Sequence, residues 1–392
     1  MFKISKRSSL LVMVLALATV VSLSSTTYAF SFFGLFDFGS NEAENTVSVK
    51  EVRVKLTLPL KTDVTKQINR VKAYKRINQL RHEEDINFIK IEKIYDKYLE
   101  GMVKSRDKEF NQTMNPYIEA AFNGVKNGRA PQIGSQIIDK TLKKAFYLTV
   151  KHELVEAIKE IEESKEAHHK LDEAIVYYQV LSNMIKEENK KVNQNIISGL
   201  KTARQAINKN NPGKLRIAAQ IVDKNIIKAY HDVILHEVEE VEEYDSTDPA
   251  EAKIEKLEGL YYYQAIKDKV KPGNKIGSKM IEKQLTGPSI KVKYNPISNE
   301  LNRGFVAKVF HELEEVEEEW GKPEASVKAW EALLYYNIVH DNVKEKLGAD
   351  KAKNLLTDLR TLTKAVANGD KIKVKELEAK VKSQLRNYIG QI

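Results

Sequence analysis

The chain has 392 residues, no cysteine, 30% charged residues and a formal charge of +9. Without cysteine there is neither a disulfide framework nor a thiolate metal site. The cations are interspersed with acids and form no basic stripe with interleaved aromatics, which argues against a nucleic-acid partner.

The first element is a targeting segment. Lys3, Lys6 and Arg7 precede an apolar run from Leu10 to Val21, and "TTYA" ends in a small residue at Ala29. This reads as a signal peptide over residues 1–29, with an apolar run too short to span a bilayer. The expectation is an exported protein, periplasmic or extracellular, with no transmembrane segment after cleavage. Removing those three cations takes the formal charge from +9 to +6. Residues 30–60 read as an N-terminal arm. "FSFFGLFDFG" suits a loose segment or a weak membrane or partner contact. The alternation from Val52 to Leu58 suits a short strand or an extended strap.

Everything after residue 60 favours helix, with proline at the junctions. Residues 61–130 form an N-terminal helical region, in which "RHEEDINFIKIEKIYDKYLEG", around His82, reads as a decayed copy of the pattern that follows. That pattern is an internal repeat. "QIIDKTLKKAFYLTVKHELVEAIKEIEE" is matched by "QIVDKNIIKAYHDVILHEVEEVEEY" and, more loosely, by "NPISNELNRGFVAKVFHELEEVEEEW". Each is followed by a Tyr-Tyr segment, "KLDEAIVYYQVL", "EKLEGLYYYQAI" or "AWEALLYYNIV", and then by a third helical stretch. The expected fold is all-α: tandem three-helix units of about 80 residues built on antiparallel hairpins. Unit 1 covers residues 131–210, unit 2 residues 211–285, and unit 3 with the C-terminal helices residues 286–392. Turns are expected near Ser164, between Tyr244 and Asp248–Pro249, and between Gly321 and Pro323.

Few side chains recur in all three units. The first helix of each hairpin keeps His152, His236 or His311, then Glu153, Glu237 or Glu312, then Glu156, Glu240 or Glu315. The second helix keeps Glu173, Glu258 or Glu331, four residues before the first tyrosine of its pair. His and Glu at i and i+4 share a helix face. In an antiparallel hairpin the second-helix glutamate falls level with them. That helix is apolar on nearly all sides, so its carboxylate needs a partner. One reading is a metal site per unit, of imidazole and carboxylate ligands suited to Fe, Zn or Mn. A second is a buried hydrogen-bond network in which the glutamate holds the histidine. A third is a solvated face, since His236 lies off the apolar stripe of its helix.

Other motifs say less. The second His of H-E-x-x-H is replaced by Glu. The Glu-x-x-His pair of di-iron bundles is missing too, because Thr149, Val233 and Lys308 stand three residues before the histidines. His168 and His169 are assigned to the surface near a turn, and the tyrosine pairs to core packing. The helical units with "AVANGD" at a turn and His/Glu-rich helices resemble the periplasmic helical domains attached to bacterial high-affinity iron permeases. The permease's membrane motif is missing, so the resemblance implies a soluble accessory and favours iron. The expected function is transition-metal binding outside the cytoplasm. The alternative is a non-catalytic scaffold for proteins or cell-envelope components. An oxidase using metal and tyrosines has no dedicated motif.

Overall fold

The computed structural model describes residues 48–392. The signal segment and the first part of the arm, up to residue 47, lie outside the described residues. Among the described residues there are fifteen α-helices, one 3-10 turn and no strand. In chain order they are α1 (Thr65–Leu80), α2 (Phe88–Tyr98), α3 (Glu100–Phe110), α4 (Met114–Lys126), α5 (Pro131–Lys159), α6 (Ser164–Tyr178), α7 (Ser182–Glu188) and α8 (Lys190–Asn208). Then come α9 (Pro212–Tyr244), α10 (Pro249–Val270), α11 (Lys275–Thr286), the 3-10 turn (Ser289–Lys291), α12 (Tyr294–Glu318), α13 (Pro323–Leu347), α14 (Ala349–Ala367) and α15 (Lys371–Ile389). No helix among the described residues is long and apolar enough to cross a membrane.

The helix ends follow short-range chemistry. Asp248 accepts from the N–H groups of Ala250 and Glu251, and Pro249 takes the first helical position of α10, where its missing N–H costs nothing. Asn211 and Pro212 do the same for α9. Gly321 turns the chain between α12 and α13 at φ +85°, a conformation that costs any residue with a Cβ. Residues 52–58 form a strap without regular secondary structure, and among the described residues no second strand lies alongside it. The end of the strap is fastened by side chains. The backbone N–H groups of Lys61 and Thr62 donate to Asp172 at 2.6 and 2.8 Å, and Arg204 donates to the Pro59 carbonyl and to Asp172, both at 2.6 Å.

The hairpins α5–α6, α9–α10 and α12–α13 carry the core. α5 packs on α4, α6, α9 and α10, and α9 packs on α8, α10 and α13. Surrounded in this way, α5 is buried on every side from Ile137 to Val150. Such a helix has no solvated stripe on which to leave its polar residues, so each of them must find an internal partner. Those partners define the site.

Candidate functional site

The partners run between hairpins. Lys140 of α5 pairs with Glu258 of α10 at 2.7 Å, and Lys224 of α9 pairs with Glu331 of α13 at 2.7 Å. Each ammonium also sits 5.1 Å from the centre of the tyrosine ring one turn beyond its glutamate, Tyr262 or Tyr335. The aspartate just before each lysine accepts a hydrogen bond from an earlier tyrosine. Tyr74 donates to Asp139 at 2.7 Å and Tyr147 to Asp223 at 2.9 Å. Burial pushes the Asp139 carboxyl upward, but Lys143, Lys140 and Arg81 outweigh it and hold the group well below the usual range. Asp223 is lowered in the same way, with Lys224 the strongest attraction.

Around the second-helix glutamates the three hairpins differ. In α5–α6, Glu153 and Glu173 share Lys170, at 3.5 and 3.0 Å, while the Gln67 amide of α1 donates to Glu173. Burial and the neighbouring Glu173 carboxylate push Glu153 up to about 8. In α12–α13, Lys328 reaches Glu312 at 3.2 Å and Glu331 at 3.6 Å, and Lys308 reaches Glu312 at 3.3 Å. Lys170 and Lys328 both stand three residues before the second-helix glutamate. At that position α10 carries Glu255. Ligand oxygens of Glu237, Glu255 and Glu258 lie within 4.8 Å of one another, and among the described residues this is the one group of three or more such side chains with metal-binding spacing. Burial, the hydrogen bond to Glu255 and the charge of Glu258 push Glu237 well above the ordinary carboxylate range. Burial pushes Glu255 up to about 7.

The histidines lie elsewhere. His236 approaches Glu240 at 3.4 Å and His311 approaches Glu315 at 3.9 Å, each along its own helix. His152 takes Glu109 of α3 at 2.8 Å instead, and Glu156 takes Lys159 at 2.8 Å. The imidazole-bearing side chains are 22%, 40% and 52% exposed in chain order. The structure therefore brings Glu237 together with Glu258, Glu312 with Glu331, and Glu153 with Glu173, and leaves His152, His236 and His311 on a wetter face. Glu255 is the member that the recurrence did not mark, because it departs from the pattern; that departure is its only signal. Lys140 and Lys224 were visible as the repeated Asp-Lys of "QIIDK" and "QIVDK". The assignment of His168 to the surface is corrected. Its side chain is buried under the strap, with Nε2 2.9 Å from Asn208 Oδ1 and 3.2 Å from the Lys61 ammonium. It lies there because the strap folds back over the start of α6.

No protein-family model, curated protein or solved structure matches the chain.

Proposed function

We propose that the chain is an exported, non-catalytic helical-repeat protein that binds other components of the cell envelope, with its buried Lys, Glu and Tyr sets fastening one unit to the next. The observation that carries this reading is one contact that recurs at one register. Gln67, Lys140 and Lys224 each stand seven residues before an aromatic side chain, Tyr74, Tyr147 or His231, and each reaches the second-helix glutamate of the following hairpin. The aromatic residue packs edge-on or tilted against the next first helix in every case: Tyr74 on Phe146, Tyr147 on Tyr230 and His231 on Phe305, with centroids 5.6, 5.7 and 5.8 Å apart. On this reading α1 is the first helix of a further unit, with its register three residues away from the one expected around His82. α4, α8, α11 and α14 are the third helices, and α15 caps the array. Metal analysis and thermal melting of tag-free protein test the reading. Lys224→Met should lower the melting temperature strongly, while His236→Ala and His311→Ala should leave both melting and metal content unchanged. Loss of a bound ion with either histidine would overturn it in favour of His/Glu metal sites.

A second reading keeps metal binding but confines it to the α9–α10 hairpin. What favours it is Glu255, a carboxylate where the other two hairpins hold an ammonium. A divalent cation would supply the missing positive charge. Three carboxylates and no imidazole form a hard donor set, suited to Mn(II), Ca(II) or Mg(II) more than to iron or zinc. Mn(II) or Ca(II) at one hundred times its dissociation constant should then stabilise the protein at pH 8 by roughly 2.7 kcal/mol. Glu255→Lys should abolish that shift. No shift in the wild type leaves protons alone on the three glutamates.

A further inference from the structure

A pocket of about 280 Å³ opens where α5, α9, α10, α12 and α13 meet. Five lysines line it, Lys151, Lys224, Lys269, Lys308 and Lys328, against three acids, Asp223, Glu312 and Glu331. Three of the lysines are committed. Lys224 is held by Asp223 at 2.9 Å and by Glu331 at 2.7 Å, and Lys308 and Lys328 are held by Glu312 at 3.3 and 3.2 Å. Lys151 and Lys269 are not. Among the described residues neither has a carboxylate within ion-pair distance, Lys151 sits over the Phe110 ring at 5.7 Å, and both line the same pocket. Lys269 is brought there by a close helix approach. A Cβ on Gly304 of α12 would lie 2.7 Å from Val270 Cγ1 and 3.2 Å from the Val270 carbonyl oxygen, so glycine allows the end of α10 to reach the pocket.

Two ammonium groups lining one half-buried pocket repel each other, and an anion bound between them relieves that repulsion. The lining carries two more cations than acids. Leu154, Val155, Ile158 and Tyr335 supply an apolar wall, and exposed His311 stands among the lining residues. Burial pushes the Lys269 amine down to about 8, against the attraction of Asp223, and Lys151 and Lys224 add to the lowering. We propose that this pocket binds a phosphate dianion, free or as the head of a small organic ester, with its oxygens bridging the Lys151 and Lys269 ammonium groups. A dianion matches the excess charge. Its several acceptor oxygens suit two separate ammonium donors, and the apolar wall suits an ester substituent.

Titration calorimetry at constant ionic strength, with inorganic phosphate and with phenyl phosphate, tests the proposal, sodium chloride serving as the blank. The expected result is saturable binding at one site per chain. Tighter binding of phenyl phosphate identifies an ester as the ligand, and equal binding identifies free phosphate. Lys269→Gln should weaken binding about tenfold, and Lys279→Gln, on an exposed lysine of α11, should leave it unchanged. Competitive acetylation of the wild-type chain removes any dependence on variant folding. Phosphate should slow the labelling of Lys151 and Lys269 and of no exposed lysine. No saturable heat, or equal effects of Lys269→Gln and Lys279→Gln, or no selective protection, would overturn the proposal.

Discussion

The α9–α10 and α12–α13 hairpins share a scaffold and differ in how they treat the charge at its centre. In α12–α13, Glu312 and Glu331 lie among Lys224, Lys308 and Lys328. In α9–α10, Lys140 is the one cation among the described residues ion-paired to the Glu237, Glu255 and Glu258 group, and Lys140 is also drawn to Asp139 at 3.3 Å. The tyrosine next to each second-helix glutamate, the lysine from the preceding hairpin and the apolar stripes are alike in both. Shape and apolar packing therefore fix the hairpin, while its buried charge can be reset by one substitution. The cost of a mismatch is met by proton uptake, because a buried carboxylate without a counter-charge stays neutral more cheaply than it ionises.

The largest effect should come from removing the cation that the α12–α13 hairpin depends on. Lys224→Met removes the ion-pair partner of buried Asp223 at 2.9 Å and leaves Glu331 with Lys328 alone at 3.6 Å, a loss of about 3 kcal/mol. Lys140→Met should cost less, since Asp139 keeps Lys143 at 2.9 Å and Arg81 at 3.4 Å. Denaturant unfolding of the two variants checks the order. Equal losses would mean that the two hairpins rely on their lysines alike, and the contrast would fail.

A smaller effect with a definite sign comes from giving α10 the lysine of its neighbours. Glu237 and Glu255 are raised in the folded chain above the usual carboxylate value of 4.5. The folded state thus holds protons that the unfolded state releases. Their stabilising contribution is complete below about pH 4.5 and is lost as the pH rises through about 7. Melting temperature should fall between pH 5 and pH 8 in the wild type. Glu255→Lys should flatten that fall and add on the order of 1 kcal/mol at pH 8. A wild type with no such slope in this window would show that another cation already neutralises the three carboxylates. Asp139 and Asp223, whose values are lowered, act with the opposite sign and only in strong acid.

Much of this was legible in the sequence, and the reasons are physical. Helix starts are short-range: Asp248–Pro249 and Asn211–Pro212 announce themselves because a cap needs only its own next three residues. The turn at Gly321 followed from a glycine signal of the same short range, whereas the first turn, near Ser164, has no side-chain cap and carried no such signal. The second-helix glutamates were rightly marked as buried groups that need partners. The within-hairpin neighbours Glu237, Lys170 and Lys328 were only part of the set around those glutamates. Lys140 and Lys224 come from the hairpin before, a choice set by how successive helices stack, and single-helix periodicity carries no information about that. His236 and His311 approach the glutamate one turn along their own helix while His152 takes Glu109 of α3, so the recurring His-Glu spacing did not fix a shared partner. Val52 to Leu58 alternates like a strand, but alternation records two-sided exposure and does not supply a second strand.

The smallest effects concern how the two hairpins turn, and they sharpen the comparison at its edge. α10 starts with an Asp248 side chain that accepts from two backbone N–H groups at 3.2 Å. α13 starts at Lys322 with no side-chain cap, after Gly321 at φ +85°. Each hairpin thus spends one specialised residue on its turn, in different places. Asp248→Ala should cost about 1 kcal/mol through lost capping, and Gly321→Ala about 1–2 kcal/mol through the left-handed backbone. Lys322→Asp should raise the melting temperature slightly by adding the cap that α10 already has. It also breaks the exposed Lys322–Glu319 pair at 2.9 Å, which salt screens, so the gain should be clearer at high ionic strength. A fall in melting temperature with Lys322→Asp would mean that the Lys322 backbone, at φ −102° and ψ 157°, leaves its side chain out of reach of the first turn. The glycine at Gly321 would then be the sole device setting the entry to α13.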